Sequence, residues 1–305
     1  MTSIQAKITL KVMQLQAFNW AKGSIVAQRA RQEKLARIFK IPADVNVEKI
    51  SVDGIPAELI NVENPGKGII LYLHGGAYAV GSAYVHREYL SRLAKACRCK
   101  VLAIDYRLAP EHSFPAALED ALRTYDWLIA QGYDPVNIMI AGDSAGGGLA
   151  IATLVSLRDG KKPLPACAVC ISPWLNLSHT SSKANNNNDP ILNPELLGVY
   201  SRYYAGHTDP ADPLISPIFA DLKGLPPILI HAGTNEILLD QIKQFHEKAR
   251  QAGVEVAIEL WDGLFHVFQI VPILPETKLS LEKIAGFVDS KICVDAKNGS
   301  ANSAI

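Results

Sequence analysis

A doubly wound α/β fold, with a mostly parallel sheet flanked by helices, is what this sequence predicts, and three observations carry the prediction. Short, continuous apolar runs recur along the chain, as strands covered on both faces require. Amphipathic segments of helical period separate them. Ahead of them lie two segments that alternate apolar and polar residues, the mark of half-buried antiparallel strands.

Taken in order, residues 1 to about 42 read as helical, with Ile8, Leu10, Val12 and Leu15 at helical spacing. Val47 to Val52 and Ala57 to Ile60 alternate, and Asp53-Gly54 between them suits a hairpin turn. From Gly68 onward the strand candidates are Ile69 to Leu73, Val101 to Ile104, Ile138 to Ala141, Cys167 to Ile171, Ile228 to Ile230 and Val256 to Leu260. Helix candidates between them include Ala116 to Ala130, stopped by Gly132, then Gly147 to Leu157 and Leu239 to Ala252. The alternation breaks from about Leu175 to Gly224, where Pro190, Pro194, Pro210, Pro213 and Pro217 surround a helical piece near Leu196 to Tyr204. The chain therefore divides into N-terminal helices (1–45), a main domain (46–290) with an insertion at about 175–224, and a polar tail (291–305). The helices and the insertion are expected to cap the sheet's carboxyl edge, where ligands bind in such folds. Asn185 to Asn188, followed by Asp189-Pro190, reads as an exposed loop.

The chain has 305 residues, 49% of them hydrophobic, enough for a large core. A formal net charge of zero gives no bulk electrostatic reason to expect nucleic acid or an anionic membrane as partner. No apolar run approaches the ~20 residues of a transmembrane helix. Met1 to Trp20 lacks the apolar core and small-residue cleavage site of a signal peptide, so the expected location is cytoplasmic. Of the five cysteines, the pairs Cys97/Cys99 and Cys167/Cys170 lack partners at zinc spacing and read, with Cys293, as core residues in a reducing compartment. No metal or organic cofactor is expected.

Gly142-Asp143-Ser144-Ala145-Gly146 has the G-x-S-x-G pattern, and a buried strand runs into it while a helix opens after it. That context makes Ser144 a candidate nucleophile on a tight strand-to-helix turn. The phosphate-cradling alternative is disfavoured, because no Gly-Lys-Ser/Thr and no G-x-G-x-x-G is present. His74-Gly75-Gly76-Ala77-Tyr78 follows another apolar strand. Acyl transfer builds charge on the former carbonyl oxygen, so the expected donors are the backbone N–H groups of Gly75, Gly76 and Ala145. A base and an acid should follow the serine in the order acid, then histidine. Of His179, His207, His231, His246 and His266, only His266 sits just past the last strand, on a loop able to reach the sheet's edge. His231 lies in a strand and reads as a core histidine, His246 in a polar helix, and His179 and His207 in the insertion. Glu236, right after the preceding strand, is the expected acid, with Asp240 as its competitor.

These residues together resemble the hormone-sensitive lipase family of α/β-hydrolases, in its bacterial esterase form. The likeness runs through His74 to Tyr78, Asp105-Tyr106-Arg107-Leu108-Ala109-Pro110-Glu111-His112, Gly142 to Gly147, Ser172-Pro173-Trp174, Asp212 to Pro217 and Gly263 to His266. It covers the chain from about Val47 to Phe287. The resemblance implies an eight-stranded, mostly parallel α/β-hydrolase sheet with a helical cap, and a carboxylesterase acting on small-molecule esters of short to medium chain. It also implies that Asp105 to Glu111 brace the oxyanion loop, with Arg107 forking to a carboxylate such as Glu111, and it makes a homodimer possible. The expected substrate walls are Leu175, Leu177, Leu264 and Val267. Two departures stand out: Ala77 replaces the usual third glycine, and the acid, most often aspartate, is Glu236. Rival readings are an amidase or deacetylase with the same triad and a non-catalytic small-molecule receptor; plant receptors of this superfamily lack the triad histidine, which is present here as His266.

Overall fold

The structure is a computed structural model and describes residues 2–15, 23–66, 68–178 and 189–292. His179, Cys293, the Asn185 to Asn188 run and most of the 291–305 tail lie outside the described residues. The helices are α1 (Ile4–Leu15), α2 (Ile25–Ala36), α3 (Ala83–Cys97), α4 (Ala116–Ala130), α5 (Ala145–Asp159), α6 (Pro194–Ala205), α7 (Leu239–Gln251) and α8 (Pro275–Lys291). The strands are β1 (Val45–Val52), β2 (Ile55–Val62), β3 (Ile69–Leu73), β4 (Lys100–Ile104), β5 (Ile138–Asp143), β6 (Cys167–Ile171), β7 (Ile228–Gly233) and β8 (Val256–Trp261). They form one eight-stranded sheet in the order β1-β2-β4-β3-β5-β6-β7-β8. β1 and β2 pair antiparallel, β2 meets β4 antiparallel, and every later pairing is parallel. Asp53 and Gly54 both take positive φ, as a two-residue type I′ hairpin turn requires.

Alternation along the strands divides the core in two. Leu71, Leu102, Ile140, Ala168 and Ile230 pack toward α4, α5 and α7. Their chain neighbours Ile70, Val101, Met139, Val169 and Leu229 face α3 and α8. Both faces are dry, which is why these strands are continuous apolar runs rather than alternating ones. Cys97, Cys99, Cys167 and Cys170 are buried, free thiols in these two layers. Burial pushes Cys99 up to about 11 and Cys167 and Cys170 to about 12, so these thiols stay protonated and inert.

The brace after β4 forms with different partners from those expected. Arg107 forks onto Asp120 and reaches Glu119, while Glu111 instead accepts both guanidinium arms of Arg29 from α2. Asp120 wins because it lies on the adjacent first turns of α4, 1% exposed and also accepting the Arg107 backbone N–H. Tyr106 stacks on His74 at 4.3 Å and donates to the His74 carbonyl at 2.6 Å, so the segment does hold the start of the glycine loop.

Candidate active site

The functional side chains sit where the parallel strands end. Beyond those ends the ladder continues as a staircase of backbone bonds, from Ser144 N–H to Ile171 C=O, Ser172 N–H to His231 C=O and Thr234 N–H to Trp261 C=O. Ser144 takes φ 52 and ψ −119, a strained conformation for an L-residue, at the junction of β5 and α5. The turn needs its glycines: a Cβ on Gly146 would run into the Leu73 carbonyl. His266 stands five residues past β8, and Glu236 three residues past β7.

His266 Nε2 lies 3.0 Å from Ser144 Oγ, and its Nδ1 lies 3.1 Å from Glu236 Oε2. As a carboxylate Glu236 can accept but not donate, so it fixes the Nδ1–H tautomer and leaves Nε2 free to accept from the serine. All three side chains are buried, at 8% exposure or less. Burial disfavours the charged form of His266, but the Glu236 bond and charge outweigh it and hold its pKa above the ordinary value. The other Glu236 oxygen accepts from the Gly233 N–H and from the Ser172 hydroxyl, the latter at 2.7 Å. Ser172 Oγ in turn accepts the Val267 N–H at 3.1 Å, tying the acid to the histidine loop.

A second buried network stands behind the glycine loop. Asp143 accepts from Tyr72 Oη at 2.7 Å and from the Gly75 N–H at 2.9 Å. His86 Nε2 is 3.3 Å from either Asp143 oxygen, and its Nδ1 is 3.0 Å from the Ser82 carbonyl. Both neighbours accept and neither donates, so His86 is an imidazolium. Burial works against that charge, but Asp143 more than offsets it and raises the His86 pKa. Burial likewise opposes the Asp143 carboxylate, yet His86, Tyr72 and Gly75 bring it down to about 2. The neighbouring His74 goes the other way, to about 4, through burial and the His86 charge.

This network corrects one expected oxyanion donor. The Gly75 N–H is occupied by Asp143 and cannot serve a substrate. Among the described residues the N–H groups of Gly76, Ala77 and Ala145 meet no acceptor, and Gly76 and Ala77 line the cavity over Ser144. The free donors thus begin one residue later than the glycine pattern suggests. Ala77 sits at φ 52, in the backbone conformation that a glycine would take more easily.

The cavity has a volume of about 390 Å³ and reaches Ser144 and His266 between Met13 of α1, Arg31 and Leu35 of α2, Leu197 of α6 and the segment Val267 to Pro272. Of the four expected wall residues only Val267 lines it. Leu175 and Leu177 are in the core against α5 and α6, and Leu264 packs with Phe265, Phe268 and Leu274. They fail as walls because their side chains point into the packing under the site, not because they lie far from it in sequence. His231 is fully buried with Nδ1 2.8 Å from Ser280 Oγ, and burial depresses it to about 3. His207 and Asp240 are exposed. No group of three His, Cys, Asp or Glu placed to hold a metal occurs among the described residues. Sequence reasoning assigned no role to Asp143, Ser172 or the wall residues of α1 and α2. The first two stood in quoted motifs, and a polar side chain at the end of a buried strand was the available signal.

Comparison with known proteins places the fold. A family model described as the alpha/beta hydrolase fold matches residues 70–270. An acetyl-hydrolase of Streptomyces hygroscopicus is 42% identical over 270 residues, covering 86% of this chain and 88% of the relative. An esterase of Acinetobacter venetianus is 37% identical, covering 87% and 88%. The crystal structure of an esterase from the bacterial hormone-sensitive lipase family superposes with a TM-score of 0.91 at 39% identity, covering 96% of this chain and all of that one. A structure of EstE5 soaked with p-nitrophenyl butyrate gives 0.90 at 38%, covering 96% and 100%.

Proposed function

The chain belongs to the bacterial hormone-sensitive lipase family of α/β-hydrolases and is a carboxylic ester hydrolase, and from that premise we propose that it works through an acyl-enzyme on Ser144, with His266 as base and Glu236 as acid. The observation that carries this reading is the pair of bonds joining Ser144, His266 and Glu236 at 3.0 and 3.1 Å beneath an open cavity. His266 takes the Ser144 proton as Oγ attacks the ester carbonyl. The N–H groups of Gly76, Ala77 and Ala145 receive the oxyanion, a service worth ~10²–10³ in kcat per donor. His266 then protonates the leaving alcohol, and water repeats the cycle to free the acid. Glu236 holds the ring tautomer and stabilises the imidazolium. Asp143, with Tyr72 and His86, anchors Gly75 so that the next two N–H groups stay aimed.

We assign the cap role to α1, α2 and the insertion at about 175–224, since Met13, Leu35, Ile191, Leu192 and Leu197 share the cavity wall. At about 390 Å³ the cavity sits toward the lower end of the ~300–1,000 Å³ usual for small-molecule sites. That volume, and the acetyl-hydrolase relative, favour short to medium acyl groups. The test is a p-nitrophenyl ester series from acetate upward, run beside matching p-nitroanilides. kcat/KM should peak at or below octanoate, with the anilides far slower. A maximum on long-chain triglyceride, or faster anilides, would replace this substrate class. The buried free thiols favour a reducing compartment, and no helix among the described residues is long and apolar enough to cross a membrane.

The pH profile follows from His266. Protonated imidazole cannot accept the serine proton, so activity appears as pH rises through the raised pKa. The acid limb of kcat/KM for p-nitrophenyl acetate should therefore have its midpoint above the ordinary imidazole value of 6.5. A midpoint below that value would mean that Glu236 does not stabilise the imidazolium.

A further inference from the structure

A formal charge of zero conceals a segregation. Residues 1–45 hold eight Lys or Arg against two Asp or Glu, a balance of +6, which leaves −6 on residues 46–305. Of these cations Arg29 is paired with Glu111, while Lys7, Lys11, Lys34, Arg37 and Lys40 are exposed on α1, on α2 and just after it. Arg31 lines the cavity, and Arg37 and Lys40 line an adjoining hollow that shares Ala36, Phe39, Val85 and Glu88 with it.

The same region exposes large apolar side chains. α1 packs its inner face, Ala6, Leu10 and Met13, on the loop that carries His266. Its outer face presents Ile4 at 74% exposure and Ile8 at 59%, interleaved with Lys7 and Lys11. Around the rim, Phe39 is 50% exposed, Ile38 71% and Ile273 68%. A helix apolar on both faces is unfavourable in water. Lysines among the outer isoleucines are what an interfacial helix needs, because their stems lie along the apolar surface while their charges reach anionic headgroups.

We propose that the N-terminal helices and the rim at Ile270 to Ile273 form a docking surface for an anionic lipid surface, with the cavity mouth turned toward the headgroups. Charge decides the occupant. A second copy would set Lys7, Lys11, Arg37 and Lys40 against the same four cations, whereas an anionic surface complements them. Docking itself does not depend on the acyl-enzyme reading; only its use, delivering a lipid-borne ester to Ser144, rests on it.

The test is co-sedimentation of the full chain carrying Ser144→Ala with vesicles of phosphatidylcholine alone and of phosphatidylcholine mixed with phosphatidylglycerol. Binding to the mixed vesicles should be at least about tenfold tighter and should weaken as salt screens the charges. Lys7→Glu with Lys11→Glu should lower that binding by about fivefold or more for each charge lost. Ile4→Ser with Ile8→Ser should lower it at every salt concentration. In the active chain the same four substitutions should leave turnover of soluble p-nitrophenyl acetate unchanged. A failure of turnover with binding intact would fall on the esterase mechanism, and not on docking. Equal binding to both vesicles, or none, would overturn the proposal. A concentration-dependent dimer abolished by the Ile4→Ser/Ile8→Ser pair would also overturn it, assigning the face to a second copy.

Discussion

Ser144→Ala should lower kcat on a p-nitrophenyl ester by roughly 10⁶, the scale of losing a triad serine in an enzyme of this kind. The reason is specific to the atom removed. Among the described residues no other nucleophile is bonded to His266 Nε2, which sits 3.0 Å from the serine oxygen. The substitution leaves the turn intact, because Ala carries the same Cβ at the same φ of 52 and strains it no further. The free N–H groups of Gly76, Ala77 and Ala145 also survive, so a residue of catalysis over water, ~10³–10⁴, should remain. The check is pre-steady-state release of p-nitrophenol, with a thermal melt alongside. The burst should vanish while the melt stays put. A variant that keeps its burst would move the nucleophile elsewhere.

Glu236→Gln should cost about 10⁴ in kcat with little change in KM. A glutamine oxygen can still take the Gly233 and Ser172 donors. Its amide nitrogen then faces His266 Nδ1 and donates, which forces the opposite ring tautomer. Nε2 would carry the proton and point it at Ser144, so the base is lost while the fold stays. Asp240→Asn should change kcat less than about twofold, as surface substitutions away from a site do. Asp240 is exposed in the first turn of α7. Steady-state kinetics on both variants checks the pair of expectations. The reverse ranking would give the acid role to Asp240.

Motif and order pointed to Ser144, Glu236 and His266, which the fold brings within hydrogen-bond reach, because strand ends are readable from apolar runs and all three lie just past strand ends. The central strands were readable for the same reason: both faces are buried, so Ile69 to Leu73 or Cys167 to Ile171 has no charged residue to blur it. α3 and α8 went unnamed; their stripes carry His86, Ser91, Thr277 and Ser280 on the buried side, which breaks the apolar count. The oxyanion loop shows the sharper limit. Two adjacent glycines look equivalent in a string of letters, and only the Asp143 side chain, 68 positions away, distinguishes the N–H it occupies from the ones it leaves free. The substrate walls were illegible for a related reason. Residues of the N-terminal helices and the insertion meet the cavity through tertiary packing alone, so Leu35 of α2 lines it while Leu177 of the insertion turns inward. The +6 of residues 1–45 was present in the letters, but a sum over the whole chain cancels it.

The staircase of strand ends has one more consequence. Neighbouring strands stand ~4.8 Å apart, so β8 lies three spacings, roughly 14 Å, from the strand that bears the nucleophile. The histidine can reach the serine only by doubling back across β6 and β7. Ser172 spans part of that return, and the first helix of the chain presses on the rest, with Ala6 against Leu264 and Phe265, Thr2 on the Asp262 carbonyl and Ser3 on Glu276. Thr2, Ser3 and Ala6 thus press on the loop and helix that set the position of His266. Loosening that inner contact would be felt at the histidine and at the cavity together, since Met13 of the same helix lines it.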